Sequence, residues 1–363
     1  MFQKNAAQRN SARAALTSHR LFCLFAPRMI CRLPLVFALL TAGALADPVA
    51  EMSAFASLKN PDLTKLAAGE ILSGRGPTMS FPRGLAIETA YVVKAPVAKT
   101  LELLRTWSAV GSPGPRVYLH GDLPAKPAPD DFRKLASAPS SGPVKALIAA
   151  TEKYDPAKPA IGISADEAKG IEKAPAASWG GPLAGTVGGF WGGLLAARAQ
   201  AFNAGGVARQ PAYSWKGESI SAAEEIGRLL KEVPKVRAQF SGLASALTGG
   251  GAPAKTAHYW ELSEIEGQAA FSLGATLEKT AAGGAQTADV QYYASSGYFV
   301  LVTFSQLWPV EIGGHSATLV WRGDVIASPT LGELRGVERM GSSAAMMKQV
   351  KQSVTAFLKD ASR

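Results

Sequence analysis

Beyond residue 46 the chain holds three histidines, His120, His258 and His315, and these are the side chains best suited to proton transfer near neutral pH. They stand far apart. No His-x-x-x-His, Glu-x-x-His or Cys-x-x-Cys spacing occurs, so neither a metal nor a cofactor is expected. His258, beside Tyr259-Trp260-Glu261, is the one candidate general base, although a surface or satisfied core histidine is the more economical reading. Paired carboxylates occur at Asp130-Asp131, Glu224-Glu225 and Glu264/Glu266, and the last pair shares even numbering with His258 and Trp260. On an extended strand that places all four on one face, which a solvated surface explains as well as acid–base chemistry does.

Other reaction classes are excluded by what the sequence lacks. Both cysteines, Cys23 and Cys31, lie in the leading segment, so the remainder carries no disulfide framework, Cys-ligated zinc or thiol nucleophile. There is no Walker-type phosphate loop, no Gly-x-Gly-x-x-Gly fingerprint after a strand and no Gly-x-Ser-x-Gly elbow. Nucleic-acid binding is not expected either. Of the net charge of +10, six units come from Lys4, Arg9, Arg13, Arg20, Arg28 and Arg32 in a segment without acids, leaving +4 on the rest.

Two further patterns concern binding. Gly181, Gly185, Gly189 and Gly193 recur every four residues beside Trp191, a small-residue ladder of the kind that permits close helix approach and, in a third reading, contact with a membrane or protein partner. Against this, glycine costs about 1 kcal/mol per residue relative to alanine in a helix, so a loop leading into a helix over 190–203 is the alternative. Aromatic residues gather towards the C-terminus. Trp260, Tyr293, Tyr298, Phe304, Trp308 and Trp321 are candidates to line an apolar cavity, with core packing as their default use.

These residues depend on the elements that carry them. Residues 47–68 read as helical with a break at Pro61, and 70–75 and 85–93 as strands. Pro96 introduces an amphipathic helix bearing Val97, Leu101, Leu104 and Trp107. Residues 108–145 are rich in Pro, Gly and Ser and read as a long excursion, with a short helix expected near 143–153. Ser221 and Glu224 form a capping-box pattern for the helices that follow. Strand-like runs at 257–275, 287–309 and 315–327 predict an antiparallel meander, and residues 343–359 an amphipathic helix with Met347, Val350, Val354 and Phe357 on one stripe. The strand around Tyr298–Trp308 is apolar on both parities, so both its faces need cover.

The N-terminus reads as a secretory signal. Residues 33–46, LPLVFALLTAGALA, form a short apolar run after scattered Arg and end in Ala44-Leu45-Ala46, the small-x-small pattern cut on export. The run is shorter than the roughly 20 residues that span a bilayer. Met29 offers an alternative start with a more compact leader. Cleavage near Ala46 would deliver the remaining chain to a periplasm or the extracellular space, from a bacterium by this leader.

The order of elements resembles the START-like (SRPBCC, helix-grip) superfamily. The residues that carry the resemblance are Ile87-Glu88-Thr89-Ala90-Tyr91-Val92-Val93-Lys94-Ala95-Pro96 leading into Val97–Trp107, and the block from Tyr292 to Phe357. It implies an α+β fold in which a curved antiparallel sheet grips a C-terminal amphipathic helix around an apolar ligand. On this reading residues 47–110 and 251–363 form the START-like domain and 111–250 a helical, Pro- and Gly-rich insertion. The resemblance implies binding or carriage of an apolar or amphipathic, lipid-like molecule without covalent chemistry. Two alternatives stand beside it: a cyclase- or hydrolase-like enzyme using His258 in the same cavity, and an envelope structural or adaptor protein.

Overall fold

The computed structural model describes residues 47–112, 116–249, 255–281 and 283–363. The proposed leader and both cysteines lie outside the described residues. Residues Leu45–Arg363 form one compact unit.

Short acidic caps open the described chain. The Asp47 carboxylate accepts from the Val49 amide ahead of α1 (Pro48–Phe55), and Asp62 accepts from Thr64 and Lys65 ahead of α2 (Leu63–Ala67). β1 (Leu72–Arg75) then pairs antiparallel with β2 (Gly84–Val93), which is buried at nearly every position. Pro96 cannot continue that strand and stands at the start of α3 (Val97–Thr106).

β3 (Arg116–Leu123) follows, inside the stretch read from composition as an excursion. Its Val-Tyr-Leu core is short and flanked by Pro and Gly, which hid it. After it come a 3-10 helix at Pro129–Ser137, α4 (Gly142–Glu152), α5 (Ala165–Ala168) and α6 (Gly185–Gly205). A small hairpin of β4 (Tyr213–Trp215) and β5 (Glu218–Ile220) precedes α7 (Ala222–Glu232), α8 (Pro234–Gln239) and α9 (Ser241–Leu247). Ser221 caps α7 by accepting from the Glu224 amide at 3.4 Å.

The three expected strand runs resolve into five: β6 (Lys255–Ile265), β7 (Gln268–Ala281), β8 (Gly284–Ala294), β9 (Val300–Ile312) and β10 (His315–Ala327). The division falls at turns such as Glu266-Gly267, both with positive φ. Glu266 therefore leaves the strand and accepts from Thr330, so it does not share a strand face with His258. α10 (Pro329–Glu333) leads to α11 (Gly336–Ala361), which begins seven residues earlier than the periodicity indicated.

All but β4 and β5 join one antiparallel sheet in the order β1-β2-β10-β9-β8-β7-β6-β3, open at both edges. β2 pairs with the last strand, while β3 crosses to the far edge. The fold is thus α+β with a large antiparallel sheet and a C-terminal helix.

Each face of the sheet has its own cover. On one face α1, α2, α4, α6 and α7–α9 bury Trp260, Phe271, Val302, Phe304 and Trp321 in the main core. On the other, α3 and α11 pack Leu101, Val350, Val354 and Phe357 against Ile87, Tyr91, Leu307 and Val320. The stripe expected on the C-terminal helix is the one buried there, but it lies along β1 and β2 rather than across β6–β10. No described helix is long and apolar enough to cross a membrane.

Candidate functional site

The face that carries α3 and α11 is not uniformly apolar, and cross-strand register orders its side chains into rows. Tyr91, Val320, Leu307 and Ala285 make an apolar row under the two helices. The next rows are Thr89–Arg322–Ser305–Thr287 and Ile87–Asp324–Thr303–Asp289–Thr276. Beyond them lies Leu85–Ile326–Leu301–Gln291–Gly274–Tyr259. Leu85, Ile326 and Leu301 are half-buried and belong to neither core. A polar band therefore runs across the sheet between two apolar rows.

The charged groups of the polar band are hydrogen-bonded, as groups withdrawn from water require. Asp324 accepts two bonds from Arg322 Nε at 2.9 and 3.1 Å, one from its Nη2 at 2.7 Å, and one from Thr303 Oγ1 at 2.7 Å. Asp289 accepts from Tyr259 Oη at 2.8 Å and Thr276 Oγ1 at 2.6 Å. Gln291 Nε2 donates to Tyr259 Oη at 3.4 Å, and Tyr298 Oη donates to Gln291 Oε1. Burial disfavours the Asp289 carboxylate more than these donors favour it, and its pKa is pushed up to about 6. Burial likewise raises Tyr298 and Tyr259 well above the usual phenol range.

Tyr259 links this band to a cleft of about 720 Å³ at the sheet's far edge. His120, from β3, stacks on the Tyr259 ring with centroids 5.4 Å apart, and its Nδ1 lies 3.2 Å from Glu261 Oε1. Burial alone would lower the His120 pKa, but the bond and charge of Glu261, with the charge of Asp122, outweigh it and raise it. His258 lines the same cleft next to Phe202, with its Nδ1 buried and unpartnered, and burial lowers its pKa. The cleft thus holds two imidazoles with opposite tendencies: His120 favours the charged form and His258 the neutral one. Among the described residues no three or more His, Cys, Asp or Glu side chains converge as a metal cage.

Of the aromatic residues anticipated as cavity lining, Tyr298 alone reaches the polar band. Trp260, Tyr293, Phe304, Trp308 and Trp321 are fully buried in the core under α1 and the helices of 124–249. Trp260 packs on Phe132, Tyr293 lies under Arg198 at 4.2 Å, and Phe304 and Trp321 meet Phe240. Trp308 Nε1 donates to Glu51 at 2.9 Å. These contacts are the core packing given from the sequence as their default use.

The glycine ladder is also used internally. α6 begins at Gly185, so the ladder is helical from that glycine on while Gly181 stands in the turn before it, and Gly189 sits so close to the Pro175 carbonyl that a Cβ would clash. Gly181 stands equally close to the Ala136 backbone, whereas Gly185 and Gly193 face open space. Trp191 is fully buried against Phe271, its Nε1 donating to Thr151 at 3.0 Å. Close approach has been put to work between segments of this chain.

Residues Thr276, Asp289, Gln291, Thr303, Arg322 and Asp324 were not singled out by sequence. A signal existed: Arg322 and Asp324 are charges two apart within an otherwise apolar strand, hence on one face. No family model, curated protein or solved structure matches the chain.

Proposed function

We propose that the chain binds or carries an amphipathic, lipid-like molecule on the sheet face overlooked by α3 and α11, without covalent chemistry, in a START-like helix-grip arrangement. The observation that carries this is the banding of that face. The apolar row Leu85–Ile326–Leu301 would take a hydrocarbon portion, and Gln291, Asp289 and Tyr259 beside it would hydrogen-bond a polar head. The strand order supports the helix-grip reading. The first long strand is followed by α3 and lies next to the last strand, and the chain closes on a long helix. Residues 124–254 are then an insertion between two neighbouring strands of the grip. The leader sequence supports an exported location.

The test is native mass spectrometry of the protein purified gently from its host, with organic extraction of any bound species. A reproducible lipid-like mass that disappears in Leu301→Glu supports the reading. A clean apo mass, unchanged after incubation with envelope lipid extract, sinks it. An enzymatic alternative rests on the unpartnered His258 Nδ1 in the edge cleft. It requires that His258→Ala abolish turnover of whatever substrate is found, and full activity in that variant removes it.

A further inference from the structure

α11 has a second face, and its composition differs from that of the face packed on the sheet. At 100° per residue, Val350, Val354 and Phe357 point inward, while Val337, Met340, Lys348, Lys351 and Lys359 fall within an arc of about 100° that starts beside Val354 and turns away from the sheet. The two acids of the helix, Glu338 and Asp360, lie outside that arc, and Asp360 is engaged by Trp107 Nε1 at 3.2 Å and Arg363 at 3.3 Å. Over the roughly 39 Å of this helix the outward strip is free of negative charge.

The strip coincides with the most exposed apolar side chains. Among the described residues, the large hydrophobics left exposed are Val110, Val337 and Met340, at 46%, 82% and 53%. Two belong to the outward strip. The third, Val110, stands in the loop after α3 and lines a groove of about 850 Å³ together with Lys348, Lys351, Lys359 and the paired Asp360 and Arg363. Exposed apolar residues and lysines gathered on one surface are the composition of an interfacial helix.

We infer that the outward face of α11, with the Val110 loop, docks the protein on an anionic bilayer surface. The lysines would lie at the level of the headgroup phosphates, and Val110, Val337 and Met340 would dip among the acyl chains. A soluble polyanion would satisfy the lysines but leaves the three apolar side chains without a role, which is why a membrane is the occupant chosen. Met340 also lines a small cleft with Leu85 of the proposed ligand row, so the lysine variants, and not the Met340 one, separate this surface from that site.

Flotation of the full chain with phosphatidylcholine vesicles and with vesicles containing a quarter phosphatidylglycerol tests the inference. Binding should increase with the anionic lipid and weaken with salt. Replacing Lys348, Lys351 and Lys359 together by Glu should remove that increase, on the order of a hundredfold, while Lys→Arg at the same positions keeps it. The leader is the same in every variant, so the difference reports α11. Val337→Ser with Met340→Ser should weaken binding to anionic vesicles without changing the salt dependence. Thermal unfolding of the variants should match the parent, since all these side chains are exposed. Equal binding of the Lys→Glu variant and the parent to anionic vesicles overturns the inference, as does binding to inorganic polyphosphate with none to vesicles.

Discussion

The Tyr259 ring lies over Gly274, its direct partner on β7, so closely that no Cβ could stand there. From that position its hydroxyl reaches Asp289 on the next strand. An aromatic residue covering a cross-strand glycine restores the apolar cover a glycine lacks and aims the phenol across the sheet.

Gly274→Ala should therefore displace the ring and release Asp289 from one donor. Overpacking of this kind costs about 1–3 kcal/mol, visible as a lower urea midpoint. A variant with parental stability and an intact Tyr259–Asp289 bond would refute the account.

Asp289 makes stability pH-dependent in a definite direction. Its folded pKa of about 6 lies above the ordinary 3.8, so the folded state holds its proton more tightly than the unfolded one. Its contribution is most favourable below pH 4 and declines as pH rises from 4 to 6. Asp289→Asn cannot titrate, so the stability of the variant relative to the parent should rise across that window and level off above it. Urea unfolding at closely spaced pH values measures this, and a difference that stays flat from pH 4 to 7 rejects it.

For His120 the sign is the same but the cause differs. Its folded pKa is raised, so the stabilisation from Glu261 is fully present below pH 6.5 and is lost as pH rises through the folded value. Glu261→Gln removes the carboxylate and leaves the burial, so the imidazole should titrate at lower pH than in the parent. NMR titration of the ring protons reads this directly, and an unchanged midpoint would falsify it.

How much of this could be read in the sequence depended on whether a pattern was local. Strands at 84–93 and 315–327, the helix after Pro96 and the apolar stripe of α11 follow from alternation and 3.6-residue periodicity, and each is present. β3 escaped because Pro and Gly around it dominate the composition, and an edge strand has only one neighbour to reveal it. The polar band escaped for a different reason. Thr276, Asp289, Thr303 and Asp324 come from four strands and become neighbours only through register, which no single segment encodes. Tyr298 was named, but the other aromatic candidates mark the face that the helices of 124–249 cover.

Those helices are held by an ion pair taken out of water. Arg198 of α6 is 2% exposed, donates to Glu167 Oε2 at 2.7 Å and to the Pro211 carbonyl at 3.2 Å, and lies over Tyr293. Glu167→Ala strands a buried cation and should cost about 3–5 kcal/mol. Replacing Arg198 by Met in the same chain should recover much of that loss. Chemical denaturation of the single and double variants decides it, and a cost under about 1 kcal/mol for Glu167→Ala would contradict the burial of the charge.

The chain leaves the sheet at Leu123 and re-enters it on the adjacent strand, where His258 stands opposite that same leucine. A hairpin turn of a few residues would bridge the gap, so by connectivity the 131 residues from 124 to 254 could be cut away and every hydrogen bond of the eight-stranded sheet kept. The cut would bare much of one face. Trp260, Phe271 and Phe304 would lose the Phe132, Trp191 and Phe240 rings that pack on them, and an apolar face exposed in this way favours association. The excursion that the backbone could do without is the one that closes this face of the sheet.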